Sequence, residues 1–421
     1  MSSNPKASIC IPSYNHARFL PQTIESALGQ TYRDFEIVIV DDGSTDESLQ
    51  IAESYAARYP ERIKVYTHPG RRNMGISATV NLGFAKARGT YYSGLPSDDI
   101  LYPDKLERQV AYLESNPQVG WVYSYAHYID EEGRRLPALF GIDITRDPRP
   151  VESLIQRNVI PGMTVLARRA RMEEINLHHD EKLIYSDWDF WVRLMAHWKA
   201  GFINRALVGY RVHSYNTSVG VGAEVNALRA LEVMTALRGQ AAEIGGALVE
   251  ARTTALLELE LSYFHFCSGD EASAARMLAS AFNSDPALRD DLPYFTRWLQ
   301  ARQHDLLELP QKHAISRDYS SWALRHLPPT VDEAFRRRLK KRVEGPRFSP
   351  RGFAYYRFKR GMEQRRSLLT YLLNNPQSLG QDLIPLYAHS LVGFRPMARL
   401  AQLKKQLAHV KAPSKPSKET K

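Results

Sequence analysis

The feature that most restricts the fold is an alternation of two patterns along the first part of the chain. "ASICIP" is an apolar run of β-branched type, "RFLPQTIESALGQ" has helical spacing, and "FEIVIVDD" is a second apolar run bounded by acids. The order continues through "DESLQIAESYAARYP", "RIKVYTHP", "ISATVNLGFAKARG" and "TYYSGL". Parallel strands need a long crossover, usually a helix, so this pattern predicts an α/β fold with a mostly parallel sheet flanked by helices. In open sheets of this kind, ligands bind beyond the C-terminal strand ends. Three expected strand ends are polar: "PSYN" (Pro12 to Asn15, with Tyr14), "DDGSTD" (Asp41, Asp42 to Asp46) and "SDD" (Ser97, Asp98, Asp99). Asp-Gly-Ser is also a good turn, and Ser97 with Asp98 would serve as a helix cap. Their recurrence on three strand ends is what points to one crevice.

Common phosphate cradles are missing from that crevice. The turn after the first strand, "IPSYNHARFL", has no glycine, and no G-x-x-x-x-G-K-[ST] occurs. A dinucleotide fold and a P-loop enzyme are therefore disfavoured. A phosphate-bearing ligand would need another source of positive charge, and a divalent metal held by carboxylates supplies it.

Composition narrows the setting. A chain of 421 residues with 43% hydrophobic and 24% charged residues is soluble globular material with room for two or three domains. Its two cysteines, Cys10 and Cys267, lack metal-ligand spacing, which favours a reducing compartment. The first residues have no basic-then-apolar signal pattern, and no apolar window is long enough to span a bilayer. Net charge is +10, but residues 331–421 carry 21 Lys and Arg against 6 Asp and Glu, leaving 35 against 40 in residues 1–330. A basic end module suggests an anionic surface, and nucleic acid is not the expected partner.

Further along, "VGWVYSYAHYIDEEGRRLP" reads as strand, turn, strand, and "NVIPGMTVLARRA" as loop, short strand and helix start. "YSDWDFWVRLMAHW" reads as a helix with Asp187 and Asp189 in its first turn and Trp188, Trp191, Leu194 and Met195 on its buried face. The helix dipole is expected to depress the pKa of either acid, and one of the two is expected to be structural. Arg193, one turn later, suits a carboxylate pair or a diphosphate contact. "FINRALVGYRVHSYNTS" reads as a strand pair ending in His213, with Arg211, Asn216 and Ser218 nearby.

Taken in order, "ICIPSYN", "FEIVIVDDGSTD", "NMGISATVNLGFAKARG", "SDDILYPDKL", "SDWDFWVRL" and "YRVHSYNTS" resemble family 2 glycosyltransferases, inverting enzymes with the GT-A fold. The likeness spans about Ala7 to Ser218. It implies a nucleotide site formed by Pro12, Tyr14, Asn15, Asp41, Asp42, Asn73, Asn81 and Ser97. Asp98 and His213 are implied as ligands of Mg²⁺ or Mn²⁺. Asp187 is implied as the catalytic base, with Asp99, Asp189 and Arg193 as secondary candidates. Three positions depart from the family pattern: Pro96 replaces the first acid of the Asp-Ser-Asp-Asp stretch, Val80 a basic residue, and Ser186 the Glu of an Glu-Asp pair. The implied partners are a nucleotide-sugar donor, with UDP expected, and a glycan or lipid-linked acceptor. The expected setting is bacterial surface polysaccharide synthesis by a cytoplasmic protein, which the basic C-terminal region could hold at the inner face of the membrane. The rival reading is a sugar-nucleotide-binding scaffold of the same fold without turnover.

Residues 1–222 are thus expected to form the GT-A-like domain, followed by an α-helical C-terminal part. Within 223–330, an accessory helical domain, "TTALLELELSYFHFCSGDEASAARMLASAF" reads as two antiparallel helices joined at Ser268 to Asp270. Residues 331–410 form a basic, aromatic helical region suited to an anionic membrane surface, and 411–421 a disordered tail.

Overall fold

The structure, a computed structural model, describes residues 4–213, 223–305 and 319–343. Asn216, Ser218, the basic region beyond residue 343 and the tail 411–421 lie outside the described residues. The first half runs β1 (Ala7–Ser13), α1 (Leu20–Leu28), β2 (Phe35–Asp41), α2 (Ser48–Arg58), β3 (Ile63–Thr67), α3 (Ile76–Lys86) and β4 (Tyr91–Gly94). It continues through β5 (Ile100–Leu101), α4 (Lys105–Ser115), β6 (Val119–Ile129), β7 (Arg135–Phe140), α5 (Pro150–Gln156) and β8 (Leu166–Arg168). Then come α6 (Arg169–Glu174), α7 (Ser186–His197) and β9 (Lys199–Arg211). The helical part comprises α8 (Ala223–Ile244), α9 (Ala251–Cys267), α10 (Glu271–Ser284), α11 (Leu292–Asp305), α12 (Tyr319–Arg325) and α13 (Glu333–Val343).

The sheet has the order β3-β2-β1-β4-β8-β6-β9-β5, with β7 paired to β6. Its first four strands are parallel, as the alternation predicts. The remainder is mixed: β8 runs antiparallel to β4 and β6, while β6 and β9 are parallel. Both faces of the parallel half are covered, which is why β1 and β2 read as continuous apolar runs. Ile9, Ile11, Ile37 and Ile39 face Leu20, Ile24, Leu106 and Val110 on one side. Cys10 joins the opposite core, where α3 lies so close that a Cβ on Gly83 would come within 2.0 Å of the Cys10 sulfur.

The expected strand pair at 202–211 is one strand instead. β9 continues through Asn204 and Arg205 alongside the parallel β6; the pairing jumps from Ser124↔Ile203 to Tyr125↔Ala206, so these polar residues form a bulge within one strand.

The helical part does not stand off from the sheet. α8 packs on α7 and α9 on α5, and one apolar cluster runs from Trp121, Trp191 and Leu154 to Val233, Leu256, Leu278 and Phe295. The helical hairpin turns at Ser268 to Asp270 as expected, and Asp270 caps α10 by accepting from the Ser273 N–H at 3.0 Å. In α13, Phe335 and Leu339 are buried, while Arg337, Arg338 and Lys341 are exposed. No helix among the described residues is long and apolar enough to cross a membrane.

Candidate active site

Register brings the polar strand ends together. Ser13 pairs with Asp41, so β1 and β2 end level, and Asp42 N–H donates to Ser13 O at 2.8 Å. β4 stops opposite Cys10, and Leu95 N–H donates to Cys10 O, so the chain from Leu95 to Asp98 runs on beside the end of β1. Asn15, with φ of 51°, turns the first loop back through a conformation that asparagine tolerates. Its Oδ1 accepts the Thr45 N–H at 2.8 Å, and the following residues are tied to the second loop by His16 N–H to Ser48 Oγ and Ala17 N–H to Asp46 Oδ2. Tyr14 remains exposed and Pro12 is buried in β1.

Asp41 and Asp42 organise backbone. Asp41 accepts from Gly43 N–H, Ser44 N–H and Ser44 Oγ–H, while Asp42 accepts from Met74 N–H at 2.7 Å and Gly75 N–H at 3.0 Å. The acids therefore clamp the loop that carries exposed Asn73 against the end of β2. Gly43 makes this approach feasible: its φ is +76°, and a Cβ there would lie 2.6 Å from Arg71 O and 2.9 Å from Asn73 N. Both contacts are backbone, so Gly43→Ala is expected to lower stability by about 1–3 kcal/mol through strain alone. The urea midpoint measures it, and an unchanged midpoint would contradict the clamp.

The centre of the site is a cluster of His16, Asp98 and His213, whose ligand atoms all lie within 4.8 Å of one another. The His213 Nε2 and Asp98 Oδ2 are 2.9 Å apart, and His16 Nδ1 lies 2.8 Å from Ser97 Oγ. Phe19 stacks on the His213 ring at 4.8 Å and fixes its plane. Burial, and to a smaller extent His213, push the His16 imidazole below its usual pKa against the pull of Asp98 and Asp46. A neutral imidazole keeps a lone pair for a cation, and two imidazoles with one carboxylate are a donor set that can hold a divalent ion. His16 is absent from the sequence-derived site; its only signal is its place directly after "PSYN", the polar end of β1.

Arg211 supports this cluster from beneath. Fully buried, it donates through Nε to Asp98 O at 2.6 Å, through Nη1 to Asp130 O and Glu131 O, and through Nη2 to Gln22 Oε1. Its backbone N–H donates to Asp99 Oδ1 at 2.8 Å. Asp99 is itself fully buried, with a pKa raised well above the usual value by burial and by the neighbouring Asp98. It serves the loop, turned inward beneath the ligand atoms.

At the start of α7 the two acids separate in role. Asp189 is buried and paired with Arg193, Nη2 to Oδ2 at 2.6 Å, while Arg193 also donates to His178 O. That arrangement pairs Arg193 with a carboxylate rather than leaving it open. Asp187 is only partly covered; it accepts from Asn158 Nδ2 at 3.0 Å and from the Trp188 N–H. The expected depression of both pKa values does not occur. Burial raises Asp187 despite the hydrogen bonds from Asn158 and Trp188, and raises Asp189 despite Arg193. A helix end contributes about 0.3–1 kcal/mol, less than the cost of withdrawing a carboxylate from water. Asn81, expected in the nucleotide pocket, grips the loop before α7: Nδ2 donates to His179 O, and Oδ1 accepts the His179 N–H.

This arrangement can be set beside known proteins. The profile of Glycosyl transferase family 2 matches residues 8–173. An uncharacterised glycosyltransferase of Haemophilus influenzae is 30% identical over 221 residues, 51% of this chain and 85% of that protein. The putative glycosyltransferase EpsE of Bacillus subtilis is 35% identical over 187 residues, 42% of this chain and 66% of EpsE. The match spans only 35% of a Rickettsia felis relative, so the chain covers from about a third to two thirds of several relatives it resembles. Among solved structures, that of Staphylococcus aureus TarS residues 1–349 in complex with UDP-GlcNAc aligns with a TM-score of 0.50 and 21% identity, over 66% of this chain and 81% of that one. That likeness is one of fold. With its ordered strand-end motifs, its mixed sheet and relatives aligned over most of their length, the chain belongs to glycosyltransferase family 2.

Proposed function

We propose that the chain is an inverting glycosyltransferase that moves a sugar from a nucleotide donor to a hydroxyl of a glycan or lipid-linked glycan. The observation that carries this reading is the His16–Asp98–His213 cluster at the strand ends, in a fold that also presents a carboxylate of raised pKa, Asp187, at the start of α7. Imidazole nitrogens are borderline donors and Mg²⁺ strongly prefers oxygen, so the set favours Mn²⁺ over Mg²⁺. Bound there, the ion supplies positive charge against the diphosphate leaving group. Asp187 takes the proton of the acceptor hydroxyl as its oxygen bonds to the anomeric carbon and the C–O bond to the diphosphate breaks, the electron pair leaving with the diphosphate. One displacement inverts that carbon. A carboxylate pushed up by burial is a stronger base than an exposed one.

UDP-sugars are the first donors to test, because the TarS fold neighbour was crystallised with UDP-GlcNAc. Asn73 and Tyr14, both exposed near the clamped loops, are the residues proposed to meet the nucleotide. The setting proposed is surface polysaccharide synthesis at a membrane face. Nucleotide release from a panel of donors, with Mn²⁺ and with chelator, tests the reading. Release that requires the ion is expected; binding of donors with no turnover across donors and acceptors would instead indicate a scaffold. The pH profile offers a second check. Because the base form of Asp187 is required and its pKa is raised, the acid limb of kcat should lie above the ordinary carboxylate value of about 3.9. An acid limb at or below that value removes Asp187 from the role.

A further inference from the structure

Ser186 stands where the family resemblance expects a glutamate, directly before Asp187. It is buried, and its Oγ lies 2.7 Å from Ser77 Oγ in the first turn of α3 and 3.0 Å from His179 Nδ1. Ser77 is equally buried and also reaches Leu183 O at 3.4 Å. One proton assignment satisfies all three groups: Ser77 donates to Leu183 O, Ser186 donates to Ser77, and His179 donates its Nδ1–H to Ser186. Burial, with Arg193 and His178 nearby, pushes the His179 pKa down to about 3, so its ring is neutral and carries one N–H. That ring is stacked on Phe190 at 4.4 Å. Four residues beyond Ser77 on the same face of α3, Asn81 holds both backbone groups of His179. The opposite end of this connection is Asp42, which fixes Met74 and Gly75 immediately before α3. Hydrogen bonds at Asp42 and at Ser77 and Asn81 thus tie the end of β2 and the first turn of α7 to the same helix, α3.

We propose that Ser186 is a positioning residue, whose bond to Ser77 locks the first turn of α7 against α3 and thereby holds the Asp187 carboxylate in line for proton transfer. The inference rests on Asp187 being the base. A carboxylate held only by Asn158 and its own backbone turn can rotate with the helix end, and a displacement near 1 Å is enough to cost about 10²-fold in rate. A glutamate in this place would bring a charge to the seam; the serine closes it with neutral groups.

The test is a double-mutant cycle in the full chain: Ser186→Ala, Ser77→Ala and both together, with nucleotide release measured on the best donor of the panel. Each single change is expected to lower kcat by about 10- to 100-fold, with donor KM within about twofold, and to move the acid limb of the pH profile. The double variant should be no slower than the slower single one, because both remove the same bond. Unchanged kcat in either single variant, a loss confined to KM, or additive losses would overturn the proposal. Ser77→Ala leaves every residue of α7 intact, so it carries the test even where Ser186→Ala does not fold. Failure of the underlying reading shows separately, as an Asp187→Asn enzyme that keeps its kcat.

Discussion

Asp187→Asn is expected to lower kcat by about 10²- to 10⁴-fold, the usual contribution of a general base, while donor affinity stays within a few-fold of the parent. The change keeps the shape of the side chain and removes its charge. An amide oxygen still accepts the Trp188 N–H, and the Asn158 amide can rotate to present its oxygen to the new NH₂. Folding stability should therefore be nearly untouched, which separates loss of chemistry from loss of structure. Calorimetric titration of donor with Mn²⁺ reads binding, and nucleotide release reads turnover. Unaltered turnover would show that another group takes the acceptor proton. The neighbouring acid provides the contrast. Asp189→Asn leaves Arg193 buried without its counter-charge, and its effect should appear in the melting temperature.

The largest effect on stability is expected at Arg211. Arg211→Met should cost about 3–5 kcal/mol, because it leaves four acceptors at the base of the site without their donor. Methionine fills much of the space and can still pack on Phe19, whose ring the guanidinium now faces at 5.0 Å. The loss thus reports on polar contacts more than on a cavity. Asp98 should suffer with it, since Arg211 Nε holds the Asp98 carbonyl. Weaker Mn²⁺ binding should accompany the lower urea midpoint. A variant with the parent midpoint would mean that the four acceptors find other partners at little cost.

Much of the fold can be read from the chain because its signals are local. Strand runs, helical spacing and polar strand ends in the first four βα units follow from residue order, and the parallel half of the sheet follows from the need for crossovers. The mixed half is less legible: β8 has three residues, and whether it joins β4 or another strand depends on neighbours far along the chain. The same limit explains β9, expected as a strand pair, where Asn204 and Arg205 form a bulge within one strand once β6 lies alongside.

At the site, the sequence by itself determined which residue types gather at the strand ends, and the family resemblance of its ordered motifs pointed to Asp98 and His213, which the fold brings together, and to Asp187. Only the tertiary structure decided which of the polar residues face inward to hold the loops. Asp41, Asp42, Asp99 and Asn81 are bonded to backbone, Asp189 is neutralised by Arg193, and His16, unmarked in the sequence, completes a cluster with residues 82 and 197 positions away. The physical reason is that a carboxylate's role depends on what lies within about 3 Å of its oxygens and on how much water remains there, and both are set by contacts between distant segments.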